Sequence, residues 1–421
     1  MTVHESVGRD TRRPTILKPP MQHETCACGA VADAIALCRP DVICAHVNAT
    51  RSLLLEKLGE PVRAAGRAAF EVVKAESDFA AMSAAIDASV SGARTYTLVG
   101  SGQGLLFAAK RLYDAAAKSL PIVLTIGDCL KEPPANEWID HVDSMCVRDG
   151  GWMQLYAETS QNALDLHIQA FRLAEELSCP VMVCIDGSEG PRAVDVPSQA
   201  QVDEYLPPIR ASRFVAAVTP TDNPGAPLAR TEMRYLAHHK QLRALRLMPL
   251  LATEWLARFG RPSGGLIRTY RTEDAETIVV AIGAINVPIR AVIDDLRESL
   301  AGFGSVSICS FRPFPLNVLR DAVQHARRIV VVEQSLAVGM GGILCDGVRN
   351  AVTGTALKVY TVIAGLGGRA ITPSSLRQVF VDAGHDELEQ LTFLDLNADV
   401  VARHLEREAR VNAAVFAPRW T

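Results

Sequence analysis

The chain has 421 residues, of which 48% are hydrophobic and 21% charged, and its formal net charge is −4. These values are ordinary for globular proteins and exclude collagen, a coiled coil and a largely disordered chain. The slight negative charge argues against a nucleic-acid surface, because phosphate binding needs clustered lysine and arginine. At about 150 residues per domain, the length predicts two or three domains, each able to bury its own core.

Apolar runs and cysteines set further limits. No stretch approaches 18 consecutive apolar residues, so we expect no membrane span. The polar N-terminus lacks the apolar core of a secretory signal, and we therefore expect a cytoplasmic protein. Cys26 and Cys28 are the only close cysteine pair, and the second pair that a zinc or iron–sulfur site uses is missing. We expect no metal or cluster in this chain.

From Cys28 onward, apolar runs alternate with helical patterns, after an arginine- and proline-containing arm over residues 1–22. Strands bounded by glycine or proline and separated by helices indicate a parallel sheet covered on both faces. The predicted strands of this first, doubly wound α/β unit are DVICAHV, FEVVKAE, TYTLVG, PIVLTIGD and PVMVCIDG.

The pattern changes after Val196, where the proline-rich connectors PSQAQVDEYLPP and VTPTDNPGAP lead to a long predicted helix over residues 230–260. A second alternation follows, with TIVVAIGA, SVSICSF, RIVVVEQ and, as its last strand, LKVYTVIAGL. We predict an α/β fold with two doubly wound domains. The predicted segments are an arm over 1–22, domains over 23–255 and 276–385, and a tail over 386–421.

Three glycines mark a strand-to-helix turn in VGSGQGLLF. Gly100, Gly102 and Gly104 would let backbone N–H groups approach an anionic ligand. Their spacing is GxGxG rather than GxGxxG, although Asp128 stands about where a ribose-binding acid would. A dinucleotide site, a tight turn without ligand and the wall of another active site all remain open.

IGDCLKEPPAN begins like the GDG metal motif of thiamine-diphosphate enzymes, but Cys129 replaces the second glycine and no suitable asparagine follows. The motif fails. Glu76 follows the run FEVVKA and precedes a predicted helix, where a carboxylate can favour the helix start. The same position at a strand end would also suit a base-like cofactor.

The densest polar stretch, DHVDSMCVRDGGWMQLYAETSQ, is predicted as a loop before the next helix. It contains His141, Asp143, Arg148 and Asp149. Loops at the carboxyl ends of strands hold ligands in α/β sheets, and Arg148 is suited to a bidentate grip on a carboxylate. A surface loop of salt bridges is the alternative. The later glycine-containing segments EQSLAVGMGG and GLGGRAITP are predicted to be tight turns.

Taken together, these segments resemble the α subunit of thiamine-diphosphate-dependent 2-oxoacid:acceptor oxidoreductases, the pyruvate:ferredoxin oxidoreductase family. The resemblance rests on ordered blocks over most of the chain. They are AESDFAAMSAAIDASVSGARTYTLVGSGQGLLF, DHVDSMCVRDGGWMQLYAE, PVMVCIDG, PSQAQVDEYLPP, YRTEDAETIVVAIGA, FRPFP and GLGGRAITP. It implies a transketolase-like pyrimidine-binding domain followed by a smaller transketolase C-terminal-like domain, a docking and assembly element.

The resemblance implies a divided cofactor site. This chain would bind the pyrimidine half of thiamine diphosphate through Glu76, with Gly102 and Gln103, while a β subunit holds the diphosphate and Mg²⁺. Glu76 would favour the imino tautomer of the aminopyrimidine, the base for the thiazolium C2 proton. Arg148 would hold the substrate carboxylate. The reaction implied is 2-oxoacid plus coenzyme A to acyl-CoA and CO₂.

Electrons would pass to iron–sulfur clusters in β, γ and δ-type partner subunits, and then to ferredoxin, or to NAD through a FAD-containing subunit. Two other interpretations compete. One is a non-catalytic dinucleotide-binding subunit of an electron-transfer complex, resting on GSGQG and Asp128. The other is a transketolase-like enzyme without redox partners, which shares Glu76 but leaves the DSMCVRDGGW block unexplained.

One departure from the family concerns the substrate. After the strand DVICA the family reads YPITPST, whereas this chain reads HVNATRS. The family threonine next to the substrate falls on Asn48 or Ala49, which points away from pyruvate. A small Ala49 would make room for a larger acid, preferably an aromatic one such as phenylglyoxylate. Arg51 could instead bind a second carboxylate, as an oxalate or 2-oxoglutarate enzyme would need.

Overall fold

A computed structural model describes residues 21–46, 54, 56–58, 70–99, 103–127, 140–185, 190–209, 229–298 and 302–415 of the chain. The first 20 residues of the arm predicted over 1–22 and half of the predicted helix RSLLLEKL lie outside these ranges. Within the described ranges, every helix is too short or too polar to serve as a transmembrane span.

Within the described part of the chain, the first sheet has seven strands. In spatial order they are β12 (Ser310–Arg312), β6 (Met153–Tyr156), β7 (Val181–Ile185), β5 (Ile122–Gly127), β4 (Thr95–Leu98), β2 (Val42–His46) and β3 (Glu71–Ala75). All neighbours pair in parallel except β12, which is antiparallel to β6. β3 therefore forms one edge of the sheet.

Helices cover both faces of this sheet. They are α1 (Ala27–Cys38), α2 (Asp78–Val90), α3 (Gln103–Ala117), α4 (Val142–Cys146), α5 (Ser160–Leu177), α6 (Gln199–Tyr205) and α7 (Ala229–Phe259). The adjacent Ile43 and Cys44 of β2 enter different cores, one with α1 and α5, the other with α2 and α3. Burial on both faces explains why these strands read as continuous apolar runs.

Among the residues that the structure describes, the second sheet has six strands. In spatial order they are β15 (Leu391–Phe393), β14 (Lys358–Ile363), β13 (Arg328–Glu333), β10 (Thr277–Ala281), β11 (Phe303–Ile308) and β9 (Ile267–Tyr270). Only β9 pairs antiparallel with its neighbour in this sheet.

The helices around the second sheet are α8 (Asn286–Arg297), α9 (Leu316–Val323), α10 (Ile343–Ala351), α11 (Pro373–Gly384) and the terminal α12 (Ala398–Val415). A separate two-stranded ribbon joins β1 (Met21–Thr25) to β8 (Arg192–Val196).

The two large sheets are joined in two ways. β12 follows β11 of the second sheet after one residue and adds to the edge of the first. One hydrophobic cluster also contains Trp152 beside the first sheet together with Ile278 and Val331 of the second. Buried Glu158 adds a polar link, because Arg290 donates to it at 2.7 Å.

The predicted fold class, α/β with doubly wound sheets, is confirmed, and the long helix expected over residues 230–260 is α7. Four local predictions are wrong. The polar stretch predicted as a loop contains α4 and β6, and LKVYTVIAGL is not the last strand, since β15 follows it. A connector contains α6, and the arm's last two residues belong to β1.

Each of these wrong predictions has a physical reason. β6 and β15 have four and three residues, too few for a periodicity to show. β1 forms only by pairing with β8, far along the chain. The helix α6 did carry a signal, the capping box of Ser198 and Gln201, which proline-rich surroundings obscured.

Candidate functional site

Glu76 lies between the carboxyl end of β3 and the start of α2. The cap of that helix is Ser77, whose Oγ accepts the backbone N–H of Ala80 at 3.1 Å. Because Ser77 fills the capping role, the Glu76 carboxylate is not needed there, and its side chain is exposed at the sheet edge. Helix capping was one of two interpretations of Glu76. In the structure, Ser77 caps the helix instead.

His46, the last residue of β2, is the register partner of Ala75 and fixes this corner of the sheet. Its Nδ1 lies 3.1 Å from the Ala75 carbonyl oxygen. The predicted substrate residues Asn48, Ala49 and Arg51, which follow it in the chain, lie outside the described residues.

The glycine turn between β4 and α3 is described only in part. Gly102 lies outside the described residues, as does Asp128, the acid invoked for a dinucleotide site. Gln103 is the first residue of α3, and its side chain is likewise not described.

Near their amino ends, α2 and α3 carry exposed apolar side chains, and Phe79 of α2 follows Glu76 by three residues. Phe79 is 37% exposed, Leu106 59% and Phe107 70%. The two helices pack against each other, and the Arg111 guanidinium lies 4.6 Å from the centre of the Phe79 ring. We call Phe79, Leu106 and Phe107 the apolar face. Exposed apolar groups clustered beside a polar group are typical of a surface that another molecule covers.

Arg148 lies just after α4 and is half-buried. Its Nη1 donates to the Met145 carbonyl oxygen at 2.8 Å, and its Nε lies 3.7 Å from the Asp149 carboxylate. These contacts cap the end of α4 and are those of the alternative interpretation, a loop of salt bridges. The structure does not bring Arg148 into contact with Glu76.

The wall behind α4 is a buried polar network. The Ser144 Oγ and Tyr156 hydroxyl are 2.7 Å apart, and the Gln154 amide donates to the Ser144 carbonyl oxygen at 2.9 Å. His141 packs edge-on against the Tyr156 ring. The network fixes α4 against β6, the strand that sequence analysis missed.

Loops that follow strands of the second sheet contact Asp140 and His141, the residues just before α4. The His141 N–H donates to the Gln334 carbonyl oxygen at 2.9 Å, and the Gly367 N–H donates to the Asp140 carboxylate at 3.3 Å. Gln334 follows β13 and Gly367 lies after β14, so the carboxyl ends of these strands meet the segment. We call Asp140, His141, Gln334 and Gly367 the inter-sheet clasp. Asp140 also accepts the Val142 N–H, a helix-start signal visible in the sequence.

Glu333 at the end of β13 is a structural carboxylate. It accepts the backbone N–H groups of Leu344 and Cys345 at 2.8 and 3.1 Å. Burial raises the pKa of the Glu333 carboxyl, and these hydrogen bonds oppose that rise. A Cβ on Gly342 would stand 1.9 Å from its Oε1, so the glycine is needed for the close approach. Positive φ angles at Gly339 and Gly341 confirm the predicted turn.

Among the described residues, no three histidine, cysteine or acidic side chains converge as a metal site would require. The chemistry that the described corner offers is a carboxylate beside aromatic and aliphatic surface. Such a corner can hydrogen-bond a heteroaromatic ring whose faces lie on apolar side chains.

Two family models match the chain. "Pyruvate flavodoxin/ferredoxin oxidoreductase, thiamine diP-bdg" matches residues 50–248, and "Pyruvate:ferredoxin oxidoreductase core domain II" matches residues 275–376. The first defines a class of oxidoreductases whose matched domain binds thiamine diphosphate.

Curated relatives agree with this class. The "Pyruvate synthase subunit PorA" of Methanothermobacter thermautotrophicus is 34% identical over 83% of this chain and 92% of its own length. The "Ketoisovalerate oxidoreductase subunit VorA" of Pyrococcus horikoshii is 31% identical over 84% of this chain and 91% of its own length. The chain belongs to the pyruvate:ferredoxin oxidoreductase family of 2-oxoacid oxidoreductases, as the resemblance predicted, and is an oxidoreductase subunit.

A solved structure shares the fold. The 2-oxoglutarate:ferredoxin oxidoreductase from Magnetococcus marinus, with 2-oxoglutarate, coenzyme A and succinyl-CoA bound, has a TM-score of 0.63 at 17% identity. The likeness covers 88% of this chain and 66% of that one. The matched families favour the oxidoreductase interpretation over the dinucleotide-binding subunit and the transketolase-like enzyme.

Proposed function

We propose that this chain is the α subunit of a multi-subunit enzyme that converts a 2-oxoacid and coenzyme A into acyl-CoA and CO₂. Electrons pass to iron–sulfur clusters in partner subunits of β, γ and δ type, and then to ferredoxin or, through a FAD-containing subunit, to NAD. The observation that carries the proposal is the exposed Glu76 carboxylate at the end of β3, released from helix capping by Ser77.

The described corner fits the pyrimidine half of thiamine diphosphate. A carboxylate can hydrogen-bond a ring nitrogen, and the apolar face supplies surface for the ring. In this proposal a partner subunit holds the diphosphate half and Mg²⁺, because Cys129 stands where the GDG metal motif has its second glycine. When bound, the cofactor supplies the electron sink for decarboxylation. Glu76 binds the aminopyrimidine ring and holds the proton at its ring nitrogen, with Gly102 and Gln103 beside it.

The partner that completes the site covers the apolar face. Phe107 and Leu106 expose more than half of their surface in this chain, on the helix that packs against the one beginning just after Glu76. A β-type subunit docked here would bury these side chains and close the cofactor between two chains. Burial would also exclude water, which strengthens the hydrogen bond between Glu76 and the ring.

We propose a division of the chain into an arm over residues 1–22, a pyrimidine-binding domain over 23–255, a transketolase C-terminal-like domain over 276–385 and a tail over 386–421. The separate family matches to residues 50–248 and 275–376 support it. The sheets do not follow these bounds strictly, since β9 and β15 of the second sheet lie outside 276–385 and β12 joins the first sheet. In this division the clasp makes the second domain a support for the segment that carries Arg148.

For the substrate, we propose an aromatic 2-oxoacid such as phenylglyoxylate. The support is the sequence HVNATRS, in which Asn48 or Ala49 stands where the family has threonine. Arg51 supports a dicarboxylate, oxalate or 2-oxoglutarate, as the second candidate, because a guanidinium binds a carboxylate well. The relatives named for pyruvate and ketoisovalerate make these two acids the comparison substrates. Arg148 is proposed to bind the carboxylate next to the oxo group.

The test is turnover of the assembled complex with coenzyme A and a low-potential electron acceptor. The substrates are phenylglyoxylate, pyruvate, 2-oxoisovalerate, 2-oxoglutarate and oxalate, compared by kcat/KM. We expect phenylglyoxylate to give the highest value. A preference for pyruvate would overturn the substrate proposal and leave the enzyme class intact. A complex loaded with cofactor and clusters that turns over none of these acids would overturn the proposed function.

A further inference from the structure

A cavity of about 470 Å³ opens at the amino end of the second sheet. Its walls include the first residues of β13 and β14, Arg328 and Lys358, which are register partners. The clasp and the proposed cofactor corner lie at carboxyl ends of strands, so this cavity is a separate place in the fold. Its volume lies within the range of about 300–1,000 Å³ typical of small-molecule sites.

Positive charge dominates the lining. Four cationic side chains face one carboxylate, that of Asp386, and they are Arg320, Arg327, Arg328 and Lys358. Hydrogen bonds from Lys358 and Tyr360, and the nearby Arg328, lower the pKa of Asp386 to about 2. Glu276, which is not among the lining residues, pairs with Arg327, so two carboxylates face four cations and a net positive charge remains.

Two of the cations are partly engaged with helix ends. Arg320 donates to the Ala351 carbonyl oxygen at the end of α10, and Arg328 donates to the Gly384 carbonyl oxygen at the end of α11. Such contacts satisfy the negative ends of the two helices. Even so, Arg328 is only 8% exposed, and its Nε is buried without a hydrogen-bond partner within the described residues.

The other two cations are more exposed, and each is paired with a carboxylate. Arg327 is 70% exposed and lies 3.5 Å from Glu276, while Lys358 is 59% exposed and lies 3.0 Å from Asp386, so both keep donor groups that a ligand can reach. The remaining wall is neutral and includes Gln324, Thr355 and Leu357. Arginine and lysine together suit phosphate oxygens, and the neutral wall suits an organic group.

We propose that this cavity binds a small organic phosphate of about mononucleotide size. The phosphate contacts Arg327, Arg328 and Lys358, and the organic group lies against Leu357 and Thr355. The cavity volume of about 470 Å³ is far larger than a single inorganic phosphate ion fills. For comparison, one water molecule occupies about 30 Å³ in the liquid. The proposal is independent of the enzyme's substrate and does not depend on the assignment of Glu76.

The experiment is calorimetric titration of the full chain with ADP and, separately, with inorganic pyrophosphate. We expect ADP to bind with a Kd below about 1 mM, and at least about tenfold more tightly than pyrophosphate. The Arg327→Gln/Lys358→Gln variant should weaken ADP at least about tenfold. Arg377→Gln, which alters an exposed ion pair on α11, is the matched control and should not change the affinity.

A second variant distinguishes loss of ADP binding from loss of folding. Gln324 is exposed at the cavity wall, so Gln324→Glu should fold normally and weaken ADP by adding a negative charge. Absence of ADP binding at 10 mM, or binding that neither cavity variant weakens, would overturn the proposal. Pyrophosphate binding as tight as ADP would overturn the role of the organic group.

Discussion

At the scale of single residues, the structure separates helix capping, which Ser77 performs, from the cofactor role that we propose for Glu76. The sequence alone leaves both roles open for Glu76. Both stand between β3 and α2, and only the structure shows that the serine hydroxyl caps the helix. We predict that Glu76→Gln lowers turnover of the assembled complex by about 10²–10⁴-fold, a typical loss for general acid–base groups. Its melting temperature should stay that of the parent chain.

Ser77→Ala is the matched control for Glu76→Gln. It should lower the free energy of unfolding by about 1 kcal/mol through loss of the cap. Full activity of Glu76→Gln, or a loss of stability equal to that of Ser77→Ala, would contradict the proposed cofactor role of Glu76.

Arg148 is a second residue with two possible roles. If it binds the substrate carboxylate, Arg148→Lys should raise KM for the 2-oxoacid by about 10–100-fold, because a point charge replaces a bidentate fork. Cofactor affinity should not change. If Arg148 serves only to contact the Met145 carbonyl oxygen, the variant will have a lower melting temperature and an unaltered KM. That result would contradict the proposed substrate role.

His167 makes stability depend on pH. It is fully buried on α5, its Nε2 lies 2.7 Å from the Thr125 hydroxyl, and its Nδ1 contacts the Ala163 carbonyl oxygen. Burial lowers its pKa to about 4. The unfolded chain, with a histidine pKa near 6.5, binds the proton first as pH falls, so stability is lost from about pH 6.5 toward pH 4.

The size of this effect follows from the pKa difference. Between pH 7 and pH 4.5 we expect a loss of about 2–3 kcal/mol from His167 alone. Urea unfolding of the parent chain and of His167→Gln at both pH values measures it, because carboxylates titrate alike in the two proteins. Equal pH dependence in parent and variant would rule out this origin.

At the scale of elements, the clasp fixes α4 from outside its own sheet. Asp140 accepts N–H groups from Val142 and from Gly367, so Asp140→Ala removes both anchors. We predict faster amide hydrogen exchange over residues 142–150 while the rest of the chain keeps its protection. Unchanged exchange in this segment would show that the clasp does not order it.

Asp149→Ala is the control on the same segment. Asp149 is 68% exposed, and its contacts with Arg148 and Arg312 are 3.7 and 3.3 Å long. Exposed ion pairs of this kind contribute little, so exchange over residues 142–150 should stay close to that of the parent chain.

Some strands of this fold can be predicted from the sequence, whereas contacts between distant segments cannot. β4, β5 and β7 are predicted because strands buried on both faces read as apolar runs. β12 could not be assigned to the first sheet, because its pairing with β6 joins residues far apart in the chain. Glu76 could be singled out from its place at a strand end, whereas the clasp partners of Asp140 could not, since no local pattern encodes a contact between two sheets.

At the scale of the whole molecule, we propose the apolar face as the place where a partner subunit docks. Phe107→Ser should leave the chain's own stability nearly unchanged, because Phe107 is 70% exposed. Loss of a buried phenylalanine contact of about 1.5–3 kcal/mol should weaken the complex by about 10–100-fold. Leu250→Ser, at a 66% exposed position on α7, is the control and should leave assembly intact.

Co-purification and analytical size exclusion measure this effect. A complex of Phe107→Ser as tight as the parent complex would show that the partner docks elsewhere. Equal weakening by Leu250→Ser would indicate a general loss of solubility rather than a specific interface.

In the proposed function, this chain holds one half of a thiamine-diphosphate site and works only with its partners. Purification of the chain from its native source without denaturation, followed by identification of the bound subunits and cofactors, tests this proposal. We expect partner subunits, thiamine diphosphate, iron–sulfur clusters and acyl-CoA formation that depends on a 2-oxoacid. A lone chain carrying bound flavin or NAD, and no thiamine diphosphate, would contradict it.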